Sequence, residues 1–91
     1  MSAQASRTVE IVNKRGLHAR ASAKFVKTAA NYEAEVRVTK DGHSAAGGSI
    51  LGLMMLGAAK GDTIQIEVEG EEADARLAEL VALVVSGFGE D

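Results

Sequence analysis

The hydrophobic period of this chain switches repeatedly between two residues and about 3.6, and the order of those switches leaves few architectures open. In residues 8–12, Val9 and Ile11 alternate with Thr8, Glu10 and Val12, which predicts a strand with Val9 and Ile11 inward. From Ala19 to about Asn31 the spacing becomes helical. Ala19, Ala23, Val26 and Ala30 share one face with Phe25 and Ala29 beside it, opposite Arg20, Lys24, Lys27 and Asn31. Next, Ala34, Val36 and Val38 alternate with Glu35, Arg37 and Thr39, and Asp41-Gly42 supplies a two-residue hairpin turn into a short strand over residues 43–46. Beyond Gly47 and Gly48, Ser49 caps a short apolar helix over residues 50–56, which Gly57 ends. Ile64, Ile66 and Val68 alternate with Thr63, Gln65, Glu67 and Glu69 as a fourth strand. Glu71, Glu72 and Asp74 favour the start of a last helix with the stripe Ala73, Leu77, Leu80, Val81 and Val84, and Gly87 follows its end.

The order β-α-β-β-α-β-α predicts an α+β fold, an open-faced β-sandwich in which a four-stranded antiparallel sheet carries three helices on one face. A ferredoxin-like split βαβ domain with an added C-terminal helix fits the same pattern. With 91 residues and no break in composition, the expected organisation is one domain over residues 1–91. The chain holds no Cys, which removes disulfides, thiolate metal sites and cysteine nucleophiles. Residues 1–6 lack the basic start and apolar block of a signal peptide, and the apolar runs are too short to span a bilayer, so a cytoplasmic protein without membrane insertion is expected.

Charge divides the chain. Residues 1–40 carry eight Lys or Arg against three Glu (+5), and residues 41–91 carry two against ten acids (−8). Arg7, Lys14, Arg15, Arg20, Lys24 and Lys27 lie in sequence on either side of His18. A pI of about 5.3, one Tyr, two Phe and no Trp argue against nucleic acid, since they supply neither a strong phosphate field nor a stacking platform. A local phosphate or an acidic protein suits the basic segment better.

Within that segment, Gly16-Leu17-His18-Ala19-Arg20 leads directly into the first helix. The first N–H groups of a helix lack internal partners and carry the positive end of its dipole, so the position disfavours imidazolium and favours an anion. A neutral imidazole there is a candidate nucleophile for phosphoryl groups, and Arg20 can reach back over the first turn to pair with a dianion. Most histidines are structural or merely exposed; Gly16 and the helix start are what lift His18 above that ordinary reading.

The Gly16-Leu17-His18-Ala19-Arg20 segment, the order of strands and helices, and a downstream Ser49 opening a short apolar helix together resemble HPr, the histidine-containing phosphocarrier family of bacterial phosphotransferase systems. The closing residues 82–91 look most like the nitrogen-related, NPr-like branch. The resemblance implies that His18 accepts phosphate on Nδ1 from phospho-enzyme I, that Arg20 steadies it, and that an enzyme IIA-type protein receives it. It also implies a phosphoryl carrier that does not turn over alone. The family commonly has Pro after this arginine, where this chain has Ala21, which makes helix entry less rigid while leaving the amide donors in place.

Ser49 matches the serine that HPr kinase/phosphorylase modifies in some members, beside its plain role as a helix cap. Most of Ile50, Leu51, Leu53, Met54, Met55 and Leu56 are expected in the core. Ile50 and Leu51 match the family's docking patch, and the basic stripe Arg20, Lys24 and Lys27, ordinarily just a solvated face, can beside His18 also steer acidic partner clefts. The expected carrier is a monomer without cofactor. His43 reads as a surface residue whose distance from His18 has no metal-site spacing, and Gly47-Gly48 is not a nucleotide-binding fingerprint. Two other functions remain at this level: a ferredoxin-like regulatory or ligand-binding module in which His18 only caps a helix, and a weak nucleic-acid binder using the basic first half.

Overall fold

The computed structural model describes residues 3–90; Met1, Ser2 and Asp91, which belong to the leader and tail readings above, lie outside the described residues. The elements are β1 (Ala3–Glu10), α1 (Ala19–Ala29), β2 (Ala34–Lys40), β3 (His43–Ala46), α2 (Ile50–Met55), β4 (Thr63–Gly70) and α3 (Ala73–Val85), followed by a 3-10 turn at Gly87–Gly89. The four strands form one sheet in the order β1-β4-β2-β3, antiparallel at every step. Because β4, and not β3, fills the gap between β1 and β2, the ferredoxin-like order is excluded and the open-faced sandwich stands.

Alternation sets the faces of the sheet. Ile64, Ile66 and Val68 of β4 point into the core, opposite Val9 of β1 and Val38 of β2, whereas Glu67, Glu69, Glu35 and Arg37 lie on the open face. The helices cover the other face: α3 packs on β1 and β4, and α1 packs against both α2 and α3. The hairpin turn forms as expected, with Asp41 and Gly42 both at positive φ (49° and 82°).

Three expectations need correction. First, β1 begins at Ala3, well before the alternating residues, because its backbone pairs with β4 along its full length from Ala3 opposite Gly70 to Glu10 opposite Thr63. Ile11 lies just beyond the strand and is still fully buried, with its N–H donating to the Asp62 carbonyl.

Second, α1 ends at Ala29, and its buried stripe is Ala21, Ser22, Phe25 and Ala29, with Ala19 and Ala30 exposed and Ala23 and Val26 half-buried. Alanines cannot choose a face by hydrophobicity; Phe25, the one large side chain central to the helix, turns the helix toward itself. The basic side is as expected, with Arg20, Lys24, Lys27 and Asn31 all exposed.

Third, α2 buries only Leu53 fully, with Leu56 half-buried, so most of its apolar side chains are not core. In α3, by contrast, the buried residues Ala73, Leu77, Leu80, Val81 and Val84 coincide with the expected stripe. Tyr32, just past α1, donates to Glu79 of α3 (3.1 Å). Burial first, and that contact second, push its phenol up to about 12.

Candidate functional site

The segment before α1 is held by its own backbone and by the loop preceding β4. Asn13 donates from its side chain to the Gly16 carbonyl (2.9 Å), and Leu17 N–H donates to the Ala58 carbonyl (2.9 Å). Gly16 has φ +61°, and a Cβ there would stand 2.1 Å from the Ala58 carbonyl oxygen, so the close approach requires glycine. Leu17 is buried and Ser22 donates to its carbonyl (3.2 Å), which presses the chain into the helix at a fixed angle.

His18 is therefore the N-cap of α1. Its backbone is extended (φ −74°, ψ −178°), its carbonyl accepts the Ser22 N–H (2.9 Å), and its Nδ1 accepts the Arg20 N–H at 3.3 Å. That last bond is long and weak, so the lone pair of Nδ1 remains available over the first turn. On the other edge of the ring, Nε2 lies 2.7 Å from Oε2 of Glu90. A nitrogen that accepts a main-chain N–H carries no proton, so in the neutral ring the proton sits on Nε2 and Glu90 accepts it. His18 is half-buried, neither sealed in the core nor free of the helix.

Glu90 reaches the ring because the tail folds back after α3. Phe88 is buried at φ 59° within the 3-10 turn, its carbonyl accepts Lys24 Nζ (2.6 Å), and Asn13 donates to Oε1 of Glu90 (3.0 Å). Donation from Asn13, and then from His18, holds the Glu90 carboxyl below its ordinary value against the opposing effect of desolvation. Sequence reasoning missed both Glu90 and Asn13. The one signal was Phe88 between two glycines, an aromatic anchor that tethers the residues after it.

Lys14, Arg15, His18, Arg20 and Glu90 line a shallow depression of about 330 Å³, open to solvent and large enough for a phosphoryl group. Arg20 is exposed on its rim. A larger groove of about 610 Å³ lies on the open face of the sheet between Glu35, Arg37, Glu67 and Glu69 and includes none of these residues. Among the described residues no group of three His, Asp or Glu is placed to hold a metal ion. His43 is exposed on β3, apart from the site.

Ser49 caps α2 as expected, its Oγ accepting the Gly52 N–H at 2.9 Å. Beside it Ile50, Leu51, Met54 and Met55 are exposed, Leu51 to 69% and Met55 to 78%. Since α2 packs against α1, this apolar patch adjoins the helix that carries Arg20, Lys24 and Lys27.

The family model describing the PTS HPr component phosphorylation site matches residues 5–86. The phosphocarrier protein HPr of Neisseria meningitidis is 48% identical over 83 residues, covering 91% of this chain and 93% of that protein. The phosphocarrier protein NPr of Escherichia coli is 42% identical over 85 residues, covering 92% and 94%. Among solved structures, an HPr of Thermoanaerobacter tengcongensis superposes with a TM-score of 0.90 at 39% identity, covering 96% of this chain and 98% of that one.

Proposed function

The chain belongs to the HPr family of phosphocarrier proteins, and from that premise we propose that His18 is its phosphoryl acceptor, charged on Nδ1 by phospho-enzyme I and discharged to an enzyme IIA-type protein. The observation that carries this reading is the acceptor role of His18 Nδ1, which takes the Arg20 N–H at the start of α1. In the transfer, that pair bonds to phosphorus while the N–P bond of the donor histidine breaks and its electrons return to the donor ring. Arg20, on the rim of the same depression, lies where the phosphoryl oxygens arrive and pairs with their charge. Discharge runs the same exchange in reverse toward the acceptor. The protein is a stoichiometric carrier and not a catalyst in its own right, and its chemistry calls for no cofactor or metal.

Docking is assigned to Ile50 and Leu51 on α2, which are exposed, together with Arg20, Lys24 and Lys27 on α1. The cations steer acidic partner clefts, and the apolar patch excludes water once they meet. Ser49 is the regulatory position for an HPr kinase/phosphorylase: a phosphate adds roughly −1.5 to −2 charge beside Ile50 and Leu51 and blocks docking without refolding the domain. The likeness to NPr of Escherichia coli is in keeping with the NPr-like branch, and on the resemblance of residues 82–91 to that branch the system is read as nitrogen-related and regulatory. The carrier works as a monomer in the cytoplasm; among the described residues no helix is long and apolar enough to cross a membrane.

Incubation with phosphoenolpyruvate and a bacterial enzyme I tests the assignment. The expected product is an acid-labile, alkali-stable phosphoprotein that does not form in His18→Ala. Undiminished labelling of that variant rejects His18.

A further inference from the structure

Among the described residues after α3, Glu90 lies against the His18 ring, and several side chains build this contact. Asn13 is 4% exposed, and its amide sends one proton to the Gly16 carbonyl and the other to Glu90, leaving its own Oδ1 buried without a hydrogen-bond partner. A buried unpaired acceptor is unfavourable, so the orientation of Asn13 is dictated by its two acceptors. Lys24 fixes the turn before Glu90 by donating to the Phe88 carbonyl, and Phe88 anchors that turn in the core. The carboxylate is thus aimed at Nε2 from a prepared position.

We propose that Glu90 is a positioning residue for phosphoryl transfer: it holds the proton of His18 on Nε2, so that Nδ1 presents its pair, and it balances the positive charge the ring acquires on bonding phosphorus. The inference rests on the reading of His18 as the acceptor. When Nδ1 bonds phosphorus and Nε2 keeps its proton, the ring becomes a phosphoimidazolium, and a carboxylate 2.7 Å from Nε2 offsets that charge. On discharge the N–P bond breaks and its pair returns to Nδ1, leaving a neutral imidazole. Without the Nε2 proton the leaving group would be an imidazolate, which departs far less readily. Glu90 therefore keeps the bound phosphoryl group in its transferable form. The charged groups around the ring are Lys14 and Arg15 in the preceding loop, Arg20 and Lys24 on α1, and Glu90; among these described residues Glu90 alone is negative.

The test is ¹⁵N imidazole NMR of His18 with the ring neutral, which reads the share of rings protonated at Nε2 against Nδ1, in the wild type, Glu90→Gln and Glu90→Ala. In Glu90→Ala the Nε2–H share is expected to fall severalfold relative to Nδ1–H, and Glu90→Gln, whose amide oxygen still accepts a proton, is expected to lie between. Transfer to an enzyme IIA-type acceptor is expected to slow severalfold in both variants. A tautomer ratio in Glu90→Ala equal to that of the wild type overturns the proposal, because a purely structural strap would leave the ring proton where it was. If the wild type takes no phosphate from active enzyme I, the carrier reading fails, while the tautomer ratio of the free ring still decides whether Glu90 acts on His18.

Discussion

At His18 the two edges of one ring meet different partners, a main-chain N–H at Nδ1 and a carboxylate at Nε2, and in the proposed transfer that asymmetry selects the nucleophilic atom. The ring can hold this pose only because the chain before it is clamped to the loop preceding β4 at Gly16. Gly16→Ala places a methyl group against the Ala58 carbonyl at a positive φ, so both steric repulsion and backbone strain act. Urea denaturation is expected to show a loss of about 2–4 kcal/mol, together with slower phosphorylation as the ring shifts. A loss below about 1 kcal/mol would mean that the clamp does not set the loop. The placement of His18, Arg20 and Gly16 at the start of α1 was legible in the sequence because it depends on neighbours in the chain. Glu90 was not: its partner is 72 residues away, and nothing in a Gly-Glu tail announces that a buried asparagine will turn it inward.

Among the elements, α2 combines a side-chain cap with an exposed apolar surface, the one to which docking is assigned in the proposal. With six residues it depends on Ser49, whose hydroxyl pairs the Gly52 amide. Ser49→Ala is expected to lower stability by about 1 kcal/mol, and Ser49→Asp, which keeps a capping oxygen, to lower it by less. Transfer kinetics should invert that order: the aspartate slows exchange with enzyme I by placing charge beside Ile50 and Leu51, and the alanine leaves it nearly unchanged. Equal transfer rates for both variants would contradict the docking surface. Period and punctuation made these elements readable, and the stripe of α3 was readable to the residue. The facing of α1 was not, because four of the six residues assigned to or beside its inner face are alanines. The extension of β1 was also hidden, since residues 3–7 pair through backbone groups that carry no sequence pattern.

For the whole molecule, the decisive feature is that β4 lies between β1 and β2, which leaves one sheet face open and gathers the helices on the other. The alternation of periods was compatible with two strand orders, and only long-range pairing chooses between them. That arrangement packs α1 beside α2 and carries the tail after α3 back to the start of α1, so that His18, the cations and the apolar patch become neighbours. Of the basic first half, Lys14, Arg15 and Arg20 line the depression at His18 and Lys24 holds the turn before Glu90, while Arg37 lies on the open face of the sheet and Lys40 pairs with Asp41 and Asp62. The account stands on the atom that carries the phosphate, and ³¹P–¹⁵N NMR of the protein after phosphorylation by enzyme I reads it directly. The expected result is a single phosphohistidine signal coupled to Nδ1 of His18. A signal coupled to Nε2, phosphate on any other residue, or no signal with an enzyme I shown to be active would contradict it.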